Sequence, residues 1–230
     1  MRINIFENLE LWNTLCIHND KLKEYFKDFS LINDYWWFNL ENLHTVGFCI
    51  REYDATFVLG NFDCEWYKPY KKLLMHPANY TALALIDLLY TNKNILIEDL
   101  ACGMSQLTFY LSHLGYTNFN LIDNFSQIRR QWIIDFLKRT NITYTLNEFS
   151  CRPTVINQSC YNKVIKHSIP DSTELIILYS NSTLLKEMLP ILQSYNFVEL
   201  CEDYFRMNVV YCRQNKYSEF NDKLTPYIIK

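Results

Sequence analysis

From Ile95 onward, strand-like and helix-like patterns alternate, which predicts an α/β fold on a mainly parallel sheet. Three observations carry this expectation. The apolar run Ile95–Leu100 ends in acidic residues and passes through small side chains into a helical pattern. A second apolar run, Phe119 to Ile122, ends at Asp123. Two late strand patterns, Asn196 to Cys201 and Met207 to Cys212, lie close enough to close the sheet as an antiparallel pair.

Taken in order, residues 5 to 29 read as helical, with Phe6, Leu9, Trp12 and Leu15 recurring at three- and four-residue steps. The pattern then turns β-branched and aromatic at Thr45–Ile50 and Thr56–Leu59, around Glu52, Tyr53 and Asp54, and predicts a hairpin. Residues 1–75 are therefore expected to form a helical and β-hairpin cap or substrate-recognition segment, and 76–230 the main domain. Pro77 suits the first position of a helix, and Ala78 to Tyr90 is apolar on most faces, so that helix should be buried. Further strands are expected at Ile142 to Leu146 and Glu174 to Tyr179. Helices are expected at Ser105 to Leu114, closed by Gly115, at Ser126 to Arg139, and at Thr183 to Tyr195, where Pro190 should kink or split the helix. In that last helix Leu184, Leu185, Met188, Leu189 and Leu192 share the expected buried side.

Composition narrows the function classes. The 230 residues carry a net charge of −3, so no general cationic field draws in a phosphate backbone, and nucleic acid is not a favoured partner. No stretch has the roughly 20 continuous apolar residues that cross a bilayer, and the N-terminus does not resemble a secretory leader. A cytoplasmic protein without a membrane role is expected. The eight cysteines are scattered, with no CxxC pair, which suits reduced and buried thiols. Histidines 18, 44, 76, 113 and 167 lie far apart, so no metal site is expected.

The chemistry concentrates in Ile97-Glu98-Asp99-Leu100-Ala101-Cys102-Gly103-Met104-Ser105. Small residues at a strand-to-helix turn let a ligand approach the backbone, and the positive end of the helix attracts electron-rich groups. An acid beside the turn can hold a cationic amine. Asp123, ending the next strand, can accept the hydroxyls of a ribose.

This segment resembles the class I S-adenosylmethionine-dependent methyltransferase pattern: an acid, then glycine-x-glycine-x-glycine, then an acid ending the second strand. Asp99 matches the first acid, Ala101, Gly103 and Ser105 take the glycine positions, and Asp123, followed by Asn124, matches the last. The resemblance implies a Rossmann-like methyltransferase fold with an antiparallel C-terminal strand. It also implies S-adenosylmethionine as cofactor, Asp99 facing the methionine amino group directly or through water, Ala101, Cys102 and Gly103 beside the methionine portion, and Asp123 and Asn124 on the nucleoside. Two of the three glycines are replaced. A nicotinamide fingerprint fits less well, since it requires glycine where Gln106 stands. An oxidoreductase is accordingly the least favoured alternative.

The catalytic end has two registers. If Glu174 to Tyr179 is the fourth strand, Ser180, Asn181 and Ser182 line the methyl-transfer site. If a short strand near Val164 to Lys166 is fourth, His167 and Ser168 do so, and 174–179 becomes the fifth strand. The second register is preferred because a strand, a helix and two strands then resemble the family's usual ending. His167 suits a general base near neutral pH, although a lone histidine is more often a packing or surface residue. Glu148 could approach an adenine or be a solvated loop acid. Trp36, Trp37, Phe38, Trp66, Tyr67 and Tyr70 could wall a substrate or simply form a core, and Lys68, Lys71 and Lys72 could meet an anion or solvent. The expected activity is methyl transfer to a small-molecule acceptor; the alternative is a methyltransferase-fold binding or scaffolding protein without catalysis.

Overall fold

The structure, a computed structural model, describes residues 1–5, 10–11, 35–36, 47–50, 56–58, 77–102, 106–123, 134, 137, 142–146, 148, 150, 152–158, 169–179, 182–203 and 206–229. Two compact units divide the chain, Met1–Glu7 with Ala78–Lys230, and Asn8–Pro77. Met1–Glu7 thus groups with the larger unit and not with Asn8–Pro77. The reason is that Arg2–Ile3, strand β1, pairs with a late strand of the main sheet.

In the smaller unit, the expected hairpin is present as β3 (Gly47–Ile50) and β4 (Thr56–Val58), paired antiparallel. A further strand, β2 (Tyr35–Trp36), adds to its edge, so Trp36 belongs to a strand. Trp37, Phe38, Trp66, Tyr67, Tyr70 and the three lysines lie outside the described residues, as does nearly all of the helix expected over 5–29.

The main unit opens with α1 (Pro77–Leu89). Its even apolar coverage matches its burial: Tyr80, Leu83, Leu85 and Ile86 have no exposed surface. Next come β5 (Ile97–Leu100), α2 (Gln106–His113), β6 (Asn118–Ile122), β7 (Thr143–Leu146), β8 (Val155–Gln158) and β9 (Leu175–Tyr179). They are followed by α3 (Ser182–Ser194), β10 (Phe197–Asp203), β11 (Asn208–Arg213) and α4 (Tyr217–Leu224). Of the helix expected over 126–139, residues 134 and 137 are described; both are helical and Leu137 is buried.

The sheet runs β1-β10-β11-β9-β8-β5-β6-β7. Strands β5 to β9 pair in parallel, and β11 runs antiparallel to both β9 and β10. This is a Rossmann-like, mainly parallel sheet with an antiparallel strand late in the chain, as the expected fold class has it. Three details differ. The fourth strand is β8, hydrogen-bonded on both sides by β5 and β9, so neither 164–166 nor 174–179 takes that place, and the latter segment supplies the fifth strand. Pro190 does not split α3, which continues through it; burial of Met188 and Leu192 against Leu100, Ile156, Ile176 and Leu178 outweighs the missing N–H. Leu189, at the flank of that face, is exposed. The chain also continues past the antiparallel pair into α4, anchored by buried Phe220 and Leu224; Phe220 packs edge-on against Tyr90, and Lys223 donates to the Leu89 carbonyl.

Two local devices set the element ends. After α2, Tyr116 N–H donates to the Leu111 carbonyl and Gly115 N–H to that of Ser112, with Gly115 at φ +92°, the paired bonds of a Schellman cap. Asn196, at φ +58°, ends α3 in the same left-handed conformation, so β10 begins one residue later than its sequence pattern suggests.

Candidate functional site

Winding proceeds from β5 through β6 to β7 on one side and from β8 to β9 on the other, so the chain changes direction between β5 and β8. In open α/β sheets the crevice beyond the carboxyl ends of the strands at such a point is where ligands bind. Register aligns those ends: Leu100 lies level with Ile122 and Gln158, and Gln158 with Leu178.

Asp99 sits next to the last residue of β5 and is 2% exposed. The Asn157 Nδ2 on β8 donates to its Oδ1 at 2.8 Å. The two residues are register partners, so their side chains leave the same face of the sheet. Burial pushes the Asp99 carboxyl up to about 7; the Asn157 hydrogen bond pulls the other way, and the Asp123 charge pushes it up further. Leu121, the register partner of Asp99, stands two residues before Asp123, which places the two acids close together at the ends of neighbouring strands.

The reversal after β5 is fixed by the neighbouring strand. Ala101 N–H and Cys102 N–H both donate to the Ile122 carbonyl, at 2.6 and 3.3 Å, so the residue that follows, Asp123, lies beside the turn. Ala101 adopts φ +58°, a conformation that costs an L-residue about 1–2 kcal/mol and glycine very little. A glycine would be the natural occupant there, and the methyl group of Ala101 is what this chain tolerates instead. Cys102 is buried and not in a disulfide. Asp123 is partly exposed.

The opposite face of β5 carries a second buried acid. Glu98, 4% exposed, accepts from Asn120 Nδ2 at 3.2 Å and from Ser150 N–H at 2.8 Å. Ser150 lies in residues 147–154, which join β7 to β8, a connection shorter than the dozen or so residues usual for a helical crossover. Glu98 therefore pins this short connection to the centre of the sheet.

Of the expected site residues, the structure brings together Asp99, Ala101, Cys102 and Asp123. Gly103, Ser105, Asn124, His167, Ser168, Ser180 and Asn181 lie outside the described residues, and Glu148 is exposed. The fourth strand is β8, whose carboxyl end is Gln158, and not a strand near 164–166. Asn157 escapes a sequence reading because its partner is 58 positions away; the signal available was the β-branched pair Val155-Ile156 just after Pro153.

At the opposite ends of the strands from this site, beside the starts of β9 and β10, an open cavity of about 750 Å³ is lined by Glu174, Phe197, Arg213 and Lys216, among others. Arg213 there donates to the carbonyls of Thr173, Tyr195 and Pro170, so it ties loops together. Among the described residues no cluster could hold a metal ion, and no helix is long and apolar enough to cross a membrane.

No family model matches the chain, and no curated protein matches it. Among solved structures it is similar to precorrin-6y C5,15-methyltransferase from Geobacter metallireducens, at 11% identity and TM-score 0.42, covering 58% of this chain and 86% of that one. It is similar also to a ribosomal protein L11 methylase from Lactobacillus delbrueckii, at 14% identity and TM-score 0.43, with coverage of 60% and 80%. A third is magnesium protoporphyrin IX methyltransferase from Synechocystis with bound SAH, at 14% identity and TM-score 0.41, with coverage of 59% and 82%. All three are methyltransferases by name, at low identity to this chain.

Proposed function

We propose that this chain is an S-adenosylmethionine-dependent methyltransferase acting on a small molecule. The observation that carries the reading is the bonding of Ala101 and Cys102 N–H to the Ile122 carbonyl. It seats a small-residue reversal next to Asp123 at the switch point of the sheet. The donor set suits the cofactor: a buried acid for an ammonium group, a turn of small side chains, and a partly exposed carboxylate for a ribose. In this reading Asp99, Ala101, Cys102 and Gly103 hold the amino-acid portion, and Asp123 and Asn124 the nucleoside.

When bound, S-adenosylmethionine supplies a methyl group on a sulfonium, open to in-line displacement. The protein's part is to orient the acceptor and exclude water. The acceptor would lie toward the carboxyl end of β8, beside Gln158; His167 is carried over from the sequence alone as the candidate base for a hydroxyl or amine. A cytoplasmic setting goes with this reading, and among the described residues Cys102, Cys201 and Cys212, buried and not in disulfides, suit it.

One observation favours the second reading, a binding or scaffolding protein without catalysis: Asp99 is almost wholly enclosed and already bonded to Asn157. Thermal melting with S-adenosylhomocysteine tests for the cofactor site. The melting temperature rises for the native sequence and does not rise for Asp123→Ala. No rise at millimolar ligand for the native sequence defeats the methyltransferase reading. Binding without methyl transfer to any of a panel of small-molecule acceptors favours the scaffold.

A further inference from the structure

We infer that Asn157 is a positioning residue for an ammonium-bearing ligand: its amide fixes the carboxylate of Asp99 so that the other oxygen, Oδ2, is presented to the cation. The inference rests on the methyltransferase reading of the site and extends it to a strand no sequence motif marks. Three observations support it. Asn157 and Asp99 are each 2% exposed, so the 2.8 Å bond between them is shielded from solvent. They are register partners on β5 and β8, the two strands flanking the switch point, so the backbone sets their separation. Asn157 is also the counterweight to burial and to Asp123 in deciding whether Asp99 carries the negative charge a cation needs.

An amide donor suits this task. It engages one carboxylate oxygen and adds no charge, so it does not compete with an incoming ammonium as a lysine or arginine would. An apolar side chain in its place leaves a buried acid without a donor, favouring the protonated form, which binds no cation.

The test compares two ligands that share a nucleoside and thioether. S-adenosylhomocysteine carries an ammonium group; 5′-methylthioadenosine does not. Dissociation constants are measured by calorimetry at pH 7 for the native sequence and for Asn157→Leu. The native protein prefers S-adenosylhomocysteine, and in Asn157→Leu that preference falls by about tenfold or more, the scale of one hydrogen bond to a charged group. Affinity for 5′-methylthioadenosine stays unchanged, which also shows that the variant is folded. If the leucine prevents folding, Asn157→Ala is measured with the same expectation. An equal loss for both ligands makes Asn157 a purely structural residue and overturns the inference, as does an unchanged preference. A native protein that binds both ligands equally well also overturns it, while leaving the nucleoside site standing. A native protein that binds neither defeats the methyltransferase reading itself.

Discussion

Replacing Asp99 with asparagine should make the ligand-free protein more stable while removing its hold on a cationic ligand. The carboxyl is raised from 3.8 to about 7, chiefly by burial, so the folded state binds this proton more tightly than the unfolded state does. The sign follows: between these two values the unfolded chain ionises first, and stability falls as pH rises. Each pH unit is worth about 1.4 kcal/mol, so above pH 7 the ionised side chain costs the fold about 4 kcal/mol. Asparagine has nearly the same shape, never ionises, and keeps an oxygen that can accept from Asn157. The stability gap between Asp99→Asn and the native sequence should thus be small at pH 4, widen through pH 7 and level off above it. Urea denaturation across this range measures it. At an m-value of about 2 kcal/mol/M, the variant's midpoint at pH 8 lies about 2 M higher. Using the difference between the two proteins cancels every other titrating group. A gap that does not change with pH, or a variant less stable at pH 8, refutes the burial argument. In the same variant, affinity for S-adenosylhomocysteine should fall, a cost in function for a gain in stability.

Glu98 and Ala101 supply two further tests. Glu98→Leu strands the donors of Asn120 and Ser150 in the interior and should cost about 2–4 kcal/mol in urea denaturation; Glu98→Gln, which keeps an acceptor oxygen, should lose much less. Ala101→Gly relieves the strain at φ +58°. After the extra freedom of glycine in the unfolded chain is subtracted, about 0.5–1 kcal/mol remains, a rise in melting temperature of about 1–4 °C; a fall would show that the turn is not strained.

Much of the region from β5 to β6 was legible in the sequence because its signals are local. An apolar run, small residues at the turn, Gly115 after α2, and an acid ending the next strand each act within a few positions, and the bonds of Ala101 and Cys102 to the Ile122 carbonyl then join the turn to the second strand. The same holds for α1, whose uniform apolarity can only be buried. Strand β8 was not legible. Val155-Ile156-Asn157-Gln158 carries two amides that read as loop in isolation, and it becomes a central strand only because β5 and β9 satisfy its backbone from both sides. Strand β1 is two residues long and exists through its pairing with β10 about 200 positions later.

By itself, then, the sequence determined where the chain turns tightly and which side chains can sit there, since these depend on neighbouring backbone sterics and side-chain size. Only tertiary structure decided that Asp99 would be enclosed, that Asn157 would meet it, and that Glu98 would hold a distant connection. Burial and long-range pairing are properties of the assembled sheet, and no window of sequence contains both partners.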